Sequence, residues 1–365
     1  MLKEFNKKIV LEDGSEYYGY SFGANIERVT EIVFNTSMVG YQEIVSDPTY
    51  SNQTVVMTYT LIGNYGITDE DFESKTLTIG GLVVREYNNF PSNFRYTKTL
   101  AELMEENGIP GIYGLDTRKL ARSIRDGGTC KAFITNADTP LERALEILHA
   151  TELSKDTVAE VSCKKRWYSR TPNSKYNVVA VDCGIKLSIV RTLNNIGCNV
   201  TVIPYSTPVE EVIMMKPDGI FIADGPGAPE DAEPVLELIK KLKGKYPIFG
   251  EGLGHQLICL AYGAKISKLK FGHRGCNHPI KELETGLVNI ETQNHSFVVD
   301  ADSIKGTGLE ITHIDLLDNT IEGVSCKKDR IYGVQYYPQN IKGSQNSDSF
   351  FDKFEKCMKE GKANA

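Results

Sequence analysis

From about residue 177 onward, short buried-type strands alternate with helices, and this order leaves few folds open. Strands that alternate with helices favour a parallel, doubly wound sheet with helices on both faces. We predict strands over 177–182, 199–205, 219–223 and 247–250, and helices over 186–195, 210–215, 232–243 and 255–262. Because ligands of such sheets bind beyond the carboxyl ends of the strands, function is expected in the strand-to-helix loops.

The first half of the chain has a different pattern, in which strand-like runs alternate with turns. Strands are predicted over 8–11, 31–35 and 54–58, and helices over 100–107, 117–126 and 140–150. We interpret residues 1–151 as an α+β domain, 152–176 as a polar linker and 177–365 as the doubly wound domain. After 265 the pattern favours antiparallel strands over 288–292, 309–317, 320–326 and 331–337, followed by a helix over 347–359.

Length and composition narrow the class of protein further. A chain of 365 residues can hold two domains. Its longest basic run is Lys164-Lys165-Arg166, and a formal charge of −7 argues against a nucleic-acid partner. No apolar run approaches the roughly 20 residues of a membrane span, and no signal-peptide segment begins the sequence. We therefore expect a cytoplasmic protein. The eight cysteines lack CxxC spacing, so we expect no disulfide framework.

Two strand-to-helix loops could carry chemistry. The loop Asp224-Gly225-Pro226-Gly227 has two glycines whose amides could approach an anion, although a tight turn explains it equally well. The loop from 250 to 256 reads GEGLGHQ and has the pattern of a nucleophile elbow. Its central residue is Gly252, which carries no nucleophile.

Several segments resemble one family. The elbow FGEGLGHQL is similar to that of class I glutamine amidotransferases, in which a cysteine takes the central position. The segments DGPGAP, FGHRGCNHP, TQNHSFVVD and EIVFNTSMVGYQE resemble the small subunit of carbamoyl-phosphate synthase. The resemblance covers nearly the whole chain. It implies an N-terminal α+β small-subunit domain followed by a class I glutamine amidotransferase doubly wound α/β domain.

The resemblance also implies a mechanism whose three side chains are replaced here. In the family a cysteine attacks the glutamine amide, a histidine moves protons, and a glutamate orients the histidine. The matching positions hold Gly252, Tyr337 and Gln339. Tyrosine, with a pKa of about 10, is a poor base at neutral pH, and glutamine carries no charge. We therefore expect no functional catalytic residue at these positions.

The family's glutamine-binding positions are less altered. Thr49 stands where a serine is usual and Ser296 where a glycine is usual, so glutamine is expected to bind weakly or not at all. The resemblance implies a vestigial glutamine pocket formed by Thr49, Gly225, Gly227, Leu253, Gln256, Asn294, Ser296 and Phe297. No metal site and no cofactor are expected in this chain.

Three hypotheses about function follow. The leading one is a glutaminase-inactive small-subunit homologue that supports a large synthetase subunit using free ammonia. The second is a divergent but active glutamine-hydrolysing subunit that supplies ammonia for carbamoyl phosphate in arginine or pyrimidine biosynthesis. The third is a regulatory module whose pocket holds glutamine or another small metabolite. Glu251 could be a new acid or base, but an incidental replacement of a hydrophobic residue is the simpler explanation.

Overall fold

The computed structural model describes residues 4–338 and 350–363. The chain divides into two compact units, one formed by Met1–Lys155 with Lys270–Arg274 and the other by Asp156–Leu269 with Gly275–Ala365.

The first unit is built around a closed seven-stranded barrel. Its strands are β1 (Lys7–Leu11), β2 (Glu16–Gly23), β3 (Arg28–Asn35), β4 (Gln53–Met57), β5 (Leu61–Ile62), β6 (Gly81–Val84), β7 (Glu86–Tyr87), β8 (Pro110–Tyr113) and β9 (Cys130–Asn136). Its helices are α1 (Tyr41–Ser46), α2 (Leu100–Glu106), α3 (Thr117–Gly127) and α4 (Leu141–Ala150), with a 3-10 turn at Pro48–Tyr50. The barrel runs in the order β1-β2-β8-β6-β4-β3-β9 and closes because β9 pairs with β1, while β5 and β7 form a separate pair.

Alternating side chains of the barrel strands form two apolar layers. In β1, Ile9 and Leu11 belong to one buried cluster, whereas Val10 packs with Ala144 and Leu148 of α4 in another. A strand that buries both faces has consecutive apolar residues, as in the sequence IVL of β1. Strands β1, β3 and β4 and helices α2, α3 and α4 were predicted from the sequence. Strands β2, β6, β8 and β9, helix α1 and closure of the barrel were not.

The second unit contains a ten-stranded mixed sheet with helices on both faces. Its strands are β10 (Trp167–Ser169), β11 (Tyr176–Asp182), β12 (Cys198–Pro204), β13 (Gly219–Ile222), β14 (Ile248–Glu251), β15 (Ile266–Glu282), β16 (Val288–Val299), β17 (Glu310–Asp315), β18 (Ile321–Cys326) and β19 (Ile331–Val334). Its helices are α5 (Thr157–Val161), α6 (Leu187–Asn195), α7 (Val209–Met214), α8 (Glu233–Leu242), α9 (Leu253–Ala261) and α10 (Phe350–Ala363), with 3-10 turns at Pro229–Ala232 and Ala301–Ile304.

The sheet order β10-β12-β11-β13-β14-β19-β18-β17-β15-β16 gives a parallel centre and antiparallel flanks. Alternate residues of β11 pack on opposite faces: Val179 and Val181 lie in one apolar cluster, and Val178 and Ala180 in the other. Burial of both faces confirms the doubly wound architecture predicted from the sequence.

The parallel order brings four loops to one edge of the sheet. The strands β11, β13, β14 and β19 are consecutive neighbours and run in the same direction. Their carboxyl ends lead to Asp182, Asp224, Gly252 and Tyr337, respectively. Chemistry expected in separate strand-to-helix loops therefore converges on one place.

Two differences from the sequence prediction concern where strands and helices occur in the second unit. The region 152–176, predicted as a linker, contributes helix α5 and strand β10 to the second unit. The long strand β15 was missed because its polar residues break the apolar alternation that marks a strand. Within the described part of the chain, none of the helices combines the length and apolarity of a membrane span.

Candidate functional site

The site is centred on a sharp turn between β14 and α9. Gly252 has φ 54° and ψ −110°, a conformation that L-residues rarely adopt. Its N–H donates to the carbonyl of Val334 at 2.9 Å, and its carbonyl accepts from Gln256 N at 3.1 Å. The turn therefore keeps the strained geometry of a nucleophile elbow, although its central residue has no side chain.

The carboxylate of Asp224 occupies the space that a side chain at position 252 would need. A Cβ atom placed on Gly252 would overlap Oδ1 and Cγ of Asp224. Asp224 follows β13, and its side chain is buried. Gly252 is thus more than a residue without a nucleophile, since a side chain at 252 would require the Asp224 carboxylate to move from this position.

The same carboxylate is held by two backbone donors. Oδ1 of Asp224 accepts the N–H of Gly225 and the N–H of Leu253, each at 2.8 Å. Leu253 directly follows the elbow residue, and a pair of amides from that position and a neighbouring loop is the usual composition of an oxyanion hole. In this chain the two donors converge on a resident carboxylate oxygen.

A buried ion pair lies at the same edge of the sheet. Nζ of Lys186 is 2.8 Å from Oε1 of Glu251, and the two side chains are 5% and 1% exposed. Lys186 immediately precedes α6, and Glu251 ends β14. From the sequence, Glu251 could be a new acid or base or an incidental replacement of a hydrophobic residue. In the structure its carboxylate is paired with the ammonium group of Lys186.

Tyr337 meets the same lysine. Nζ of Lys186 lies 2.8 Å from the centroid of the Tyr337 ring, an arrangement in which the ring's negative face stabilises the cation. The backbone N–H of Tyr337 donates to Thr292 at 2.9 Å. Tyr337 therefore presents its aromatic face to a charge, and Gln339 lies outside the described residues.

No neighbouring histidine or cysteine on α9 is suited to replace the missing groups. His255 is fully buried, and desolvation lowers the pKa of its imidazole to about 3. At neutral pH it is uncharged and a very weak base. Burial also raises the pKa of the Cys259 thiol, so this residue stays protonated and inert.

Four of the eight residues of the predicted glutamine pocket make contacts that link them. Gly225 and Leu253 share the carboxylate of Asp224. Nε2 of Gln256 donates to the carbonyl of Phe297 and to Oε1 of Gln335, both at 3.0 Å. The amide of Gln256 is thus already engaged within the protein.

The remaining pocket residues are placed as follows. Asn294 and Ser296 are buried, and their positions two apart on β16 put them on the same face of the strand. Gly227 adopts φ 88°, and a Cβ there would collide with Thr157. Thr49 belongs to the first unit, where its N–H and hydroxyl donate to Oδ1 of Asp47 at 2.9 and 2.6 Å.

Sequence reasoning missed Asp224 as a member of the site. The segment DGPGAP drew attention to its glycines, whereas the decisive group is the acid that precedes them. One signal was available: an acid at the end of an apolar strand lies where backbone donors of a neighbouring loop are expected. Its overlap with position 252 depends on three-dimensional packing.

The fold and the elbow together define a class I glutamine amidotransferase domain. The family model described as "Glutamine amidotransferase class-I" matches residues 179–357, and the model described as "Carbamoyl-phosphate synthase small chain, CPSase domain" matches residues 9–134.

Comparison with curated proteins identifies the family. The chain is 48% identical over 350 residues to the carbamoyl phosphate synthase small chain of Fusobacterium nucleatum, covering 96% of this chain and 97% of that protein. It is 48% identical over 354 residues to the protein of the same description from Staphylococcus epidermidis, covering 97% and 96%. The Listeria innocua protein is 47% identical over 350 residues, covering 96% of each chain. The chain belongs to the carbamoyl-phosphate synthase small chain family.

Proposed function

We propose that this chain is a carbamoyl-phosphate synthase small subunit that does not hydrolyse glutamine. In this proposal it binds a large synthetase subunit and supports synthesis of carbamoyl phosphate from free ammonia. The observation that carries the proposal is the carboxylate of Asp224, which takes both the space of a nucleophile and the two amide donors beside it.

Two physical effects act against hydrolysis. Loss of a catalytic nucleophile in a well-studied protease lowers the rate by about 10⁶, or on the order of 8 kcal/mol of transition-state stabilisation. Here an anion also fills the donor pair. A tetrahedral intermediate would carry negative charge at the same place, so Asp224 would have to leave before such an intermediate could be stabilised.

The rest of the chain supports a retained scaffold function. Sequence identity of 47–48% extends through both units, and the first unit keeps a closed barrel with its own apolar core. The two catalytic replacements that the structure describes, Gly252 and Tyr337, lie at the edge of one sheet. Binding to a large subunit does not require a glutaminase centre, so this function can persist when hydrolysis is lost.

The test uses the full chain with the large subunit from the same organism. We expect the two to copurify, and we expect the complex to make carbamoyl phosphate with ammonium chloride but not with glutamine. The matched control is a glutaminase-active small subunit of the family with its own large subunit, which uses both nitrogen donors. Glutamate release by the complex at the control's rate, or absence of a complex, would reject the proposal.

A further inference from the structure

A basic groove lies at the carboxyl end of β12, separate from the elbow residues described above. Its cavity of about 540 Å³ is lined by Lys164, Lys165 and Arg166, and by residues that include Ser206 and Thr207 from the turn after β12. The three cations form the longest basic run in a chain of net charge −7. The proposed scaffold function does not account for them.

The basic segment is fixed at both ends. The N–H of Cys163 donates to Oδ2 of Asp182 at 2.8 Å, and Oγ of Ser162 accepts the N–H of Tyr205 at 3.0 Å. After the three cations, Trp167 begins β10, which pairs antiparallel with β12. The backbone that carries the charges is therefore held in place before any ligand arrives, which reduces the entropy lost on binding.

The tight turn after β12 also lines the groove and offers hydroxyl groups. Both the N–H and the hydroxyl of Thr207 donate to the carbonyl of Pro204, at 3.0 and 2.7 Å, which fixes the turn beside Ser206. Glu211 is the one carboxylate among the lining residues, and Met215 adds an apolar side chain. The lining thus carries three positive charges and one negative charge.

We propose that this groove binds a small phosphate-bearing anion. Lysine ammonium groups and an arginine guanidinium supply donors that suit several phosphate oxygens at once, and the guanidinium can bind two of them together. The position also fits, because ligands of doubly wound sheets bind beyond the carboxyl ends of strands. Free pyrophosphate and the phosphate groups of a metabolite share this chemistry.

The experiment is a calorimetric titration of the full chain with inorganic pyrophosphate in a phosphate-free buffer. We expect one site, with affinity weakened at least tenfold in K165A/R166A. The control K240A/K241A removes two charges from α8, which does not line the groove, and we expect its affinity to stay within twofold. Parallel titrations with a nucleoside diphosphate and a sugar phosphate distinguish free pyrophosphate from a larger phosphorylated ligand.

A local readout separates this site from general charge attraction. Met215 lines the groove, so the resonance of its ¹³C-labelled ε-methyl group should shift saturably with the calorimetric affinity. Absence of binding at millimolar pyrophosphate, equal weakening by the control variant, or an unmoved Met215 resonance would overturn the proposal. Weaker association of K165A/R166A with the large subunit at unchanged pyrophosphate affinity would also overturn it, and would identify the groove as a protein-docking surface.

Discussion

A double-mutant cycle between Gly252 and Asp224 tests the steric argument most directly. A methyl group at position 252 would overlap the Asp224 carboxylate, so Gly252→Ala must expel that carboxylate from its two amide donors. Hydrogen bonds to a charged group contribute about 1.5–3 kcal/mol each, so the loss is about 3–6 kcal/mol. The positive φ adds strain of about 1–3 kcal/mol for a non-glycine residue.

The effects of the two substitutions should not add, because both variants remove the same two hydrogen bonds. Asp224→Ala alone should lower the free energy of unfolding by about 3–6 kcal/mol. In the Gly252→Ala background the same change should lower it by less than about 1 kcal/mol, since the bonds are already lost. Urea unfolding followed by the fluorescence of Trp167, the single tryptophan, reports on the second unit.

Gly263→Ala is the matched control for backbone strain. Gly263 has φ 90°, and a Cβ there would meet nothing within 4 Å. Its substitution should therefore cost only the strain, about 1–3 kcal/mol. If the effects of Gly252→Ala and Asp224→Ala add within about 0.5 kcal/mol, the two residues do not compete for one space and our reading of the site is wrong.

Three further predictions concern the charged cluster and its surroundings. Lys186→Met should lower the free energy of unfolding by about 3–5 kcal/mol, because it leaves Glu251 buried without its lysine. Adding Glu251→Leu should restore most of this loss, as measured by urea unfolding. Equal stability of the single and double variants would contradict the prediction. Tyr337→Leu should lower the free energy of unfolding by about 2 kcal/mol, whereas Tyr337→Phe, which keeps the ring over Lys186, should have little effect. Equal losses in the two variants would mean that the contact between the ring face and Lys186 does not stabilise the fold. Because the pKa of His255 is about 3 in the folded protein and about 6.5 when unfolded, stability should fall as pH drops from 6.5 toward 3, with a slope of up to about 1.4 kcal/mol per unit from this residue. His255→Asn should flatten that slope in urea unfolding at successive pH values, and an unchanged slope would show that His255 titrates normally.

The architecture of the second unit was largely predictable because its information is local. The periodicity of apolar residues predicts strands such as that around Val179 and the helices between them, and the alternation of strands with helices favours a parallel sheet. The barrel of the first unit was not predictable in the same way. Pairing of β9 with β1 joins residues more than a hundred positions apart, and no local pattern marks it.

In the site, too, the features that depend on local sequence were predictable and those that depend on distant residues were not. The elbow was predictable from glycine spacing around Gly252, because a sharp strand-to-helix turn needs residues without side chains. The salt bridge between Lys186 and Glu251 was not, since Lys186 precedes α6 and Glu251 ends β14, and the two meet only at the sheet edge. Sequence spacing identifies which loops approach that edge but not which side chains share the space.

The pairing of Gly252 with Asp224 changes how loss of the nucleophile is understood. If Gly252 were merely a deletion, replacing it by cysteine would restore a nucleophile at once. The structure places a carboxylate in the required space and on both amide donors, so Gly252→Cys alone faces the same expulsion as Gly252→Ala. Any return to hydrolysis must first remove the acid at 224, and Asp224→Ala breaks two charge-assisted hydrogen bonds at about 1.5–3 kcal/mol each. Each single step toward an active site therefore destabilises the fold, and this coupling makes the inactive arrangement hard to reverse.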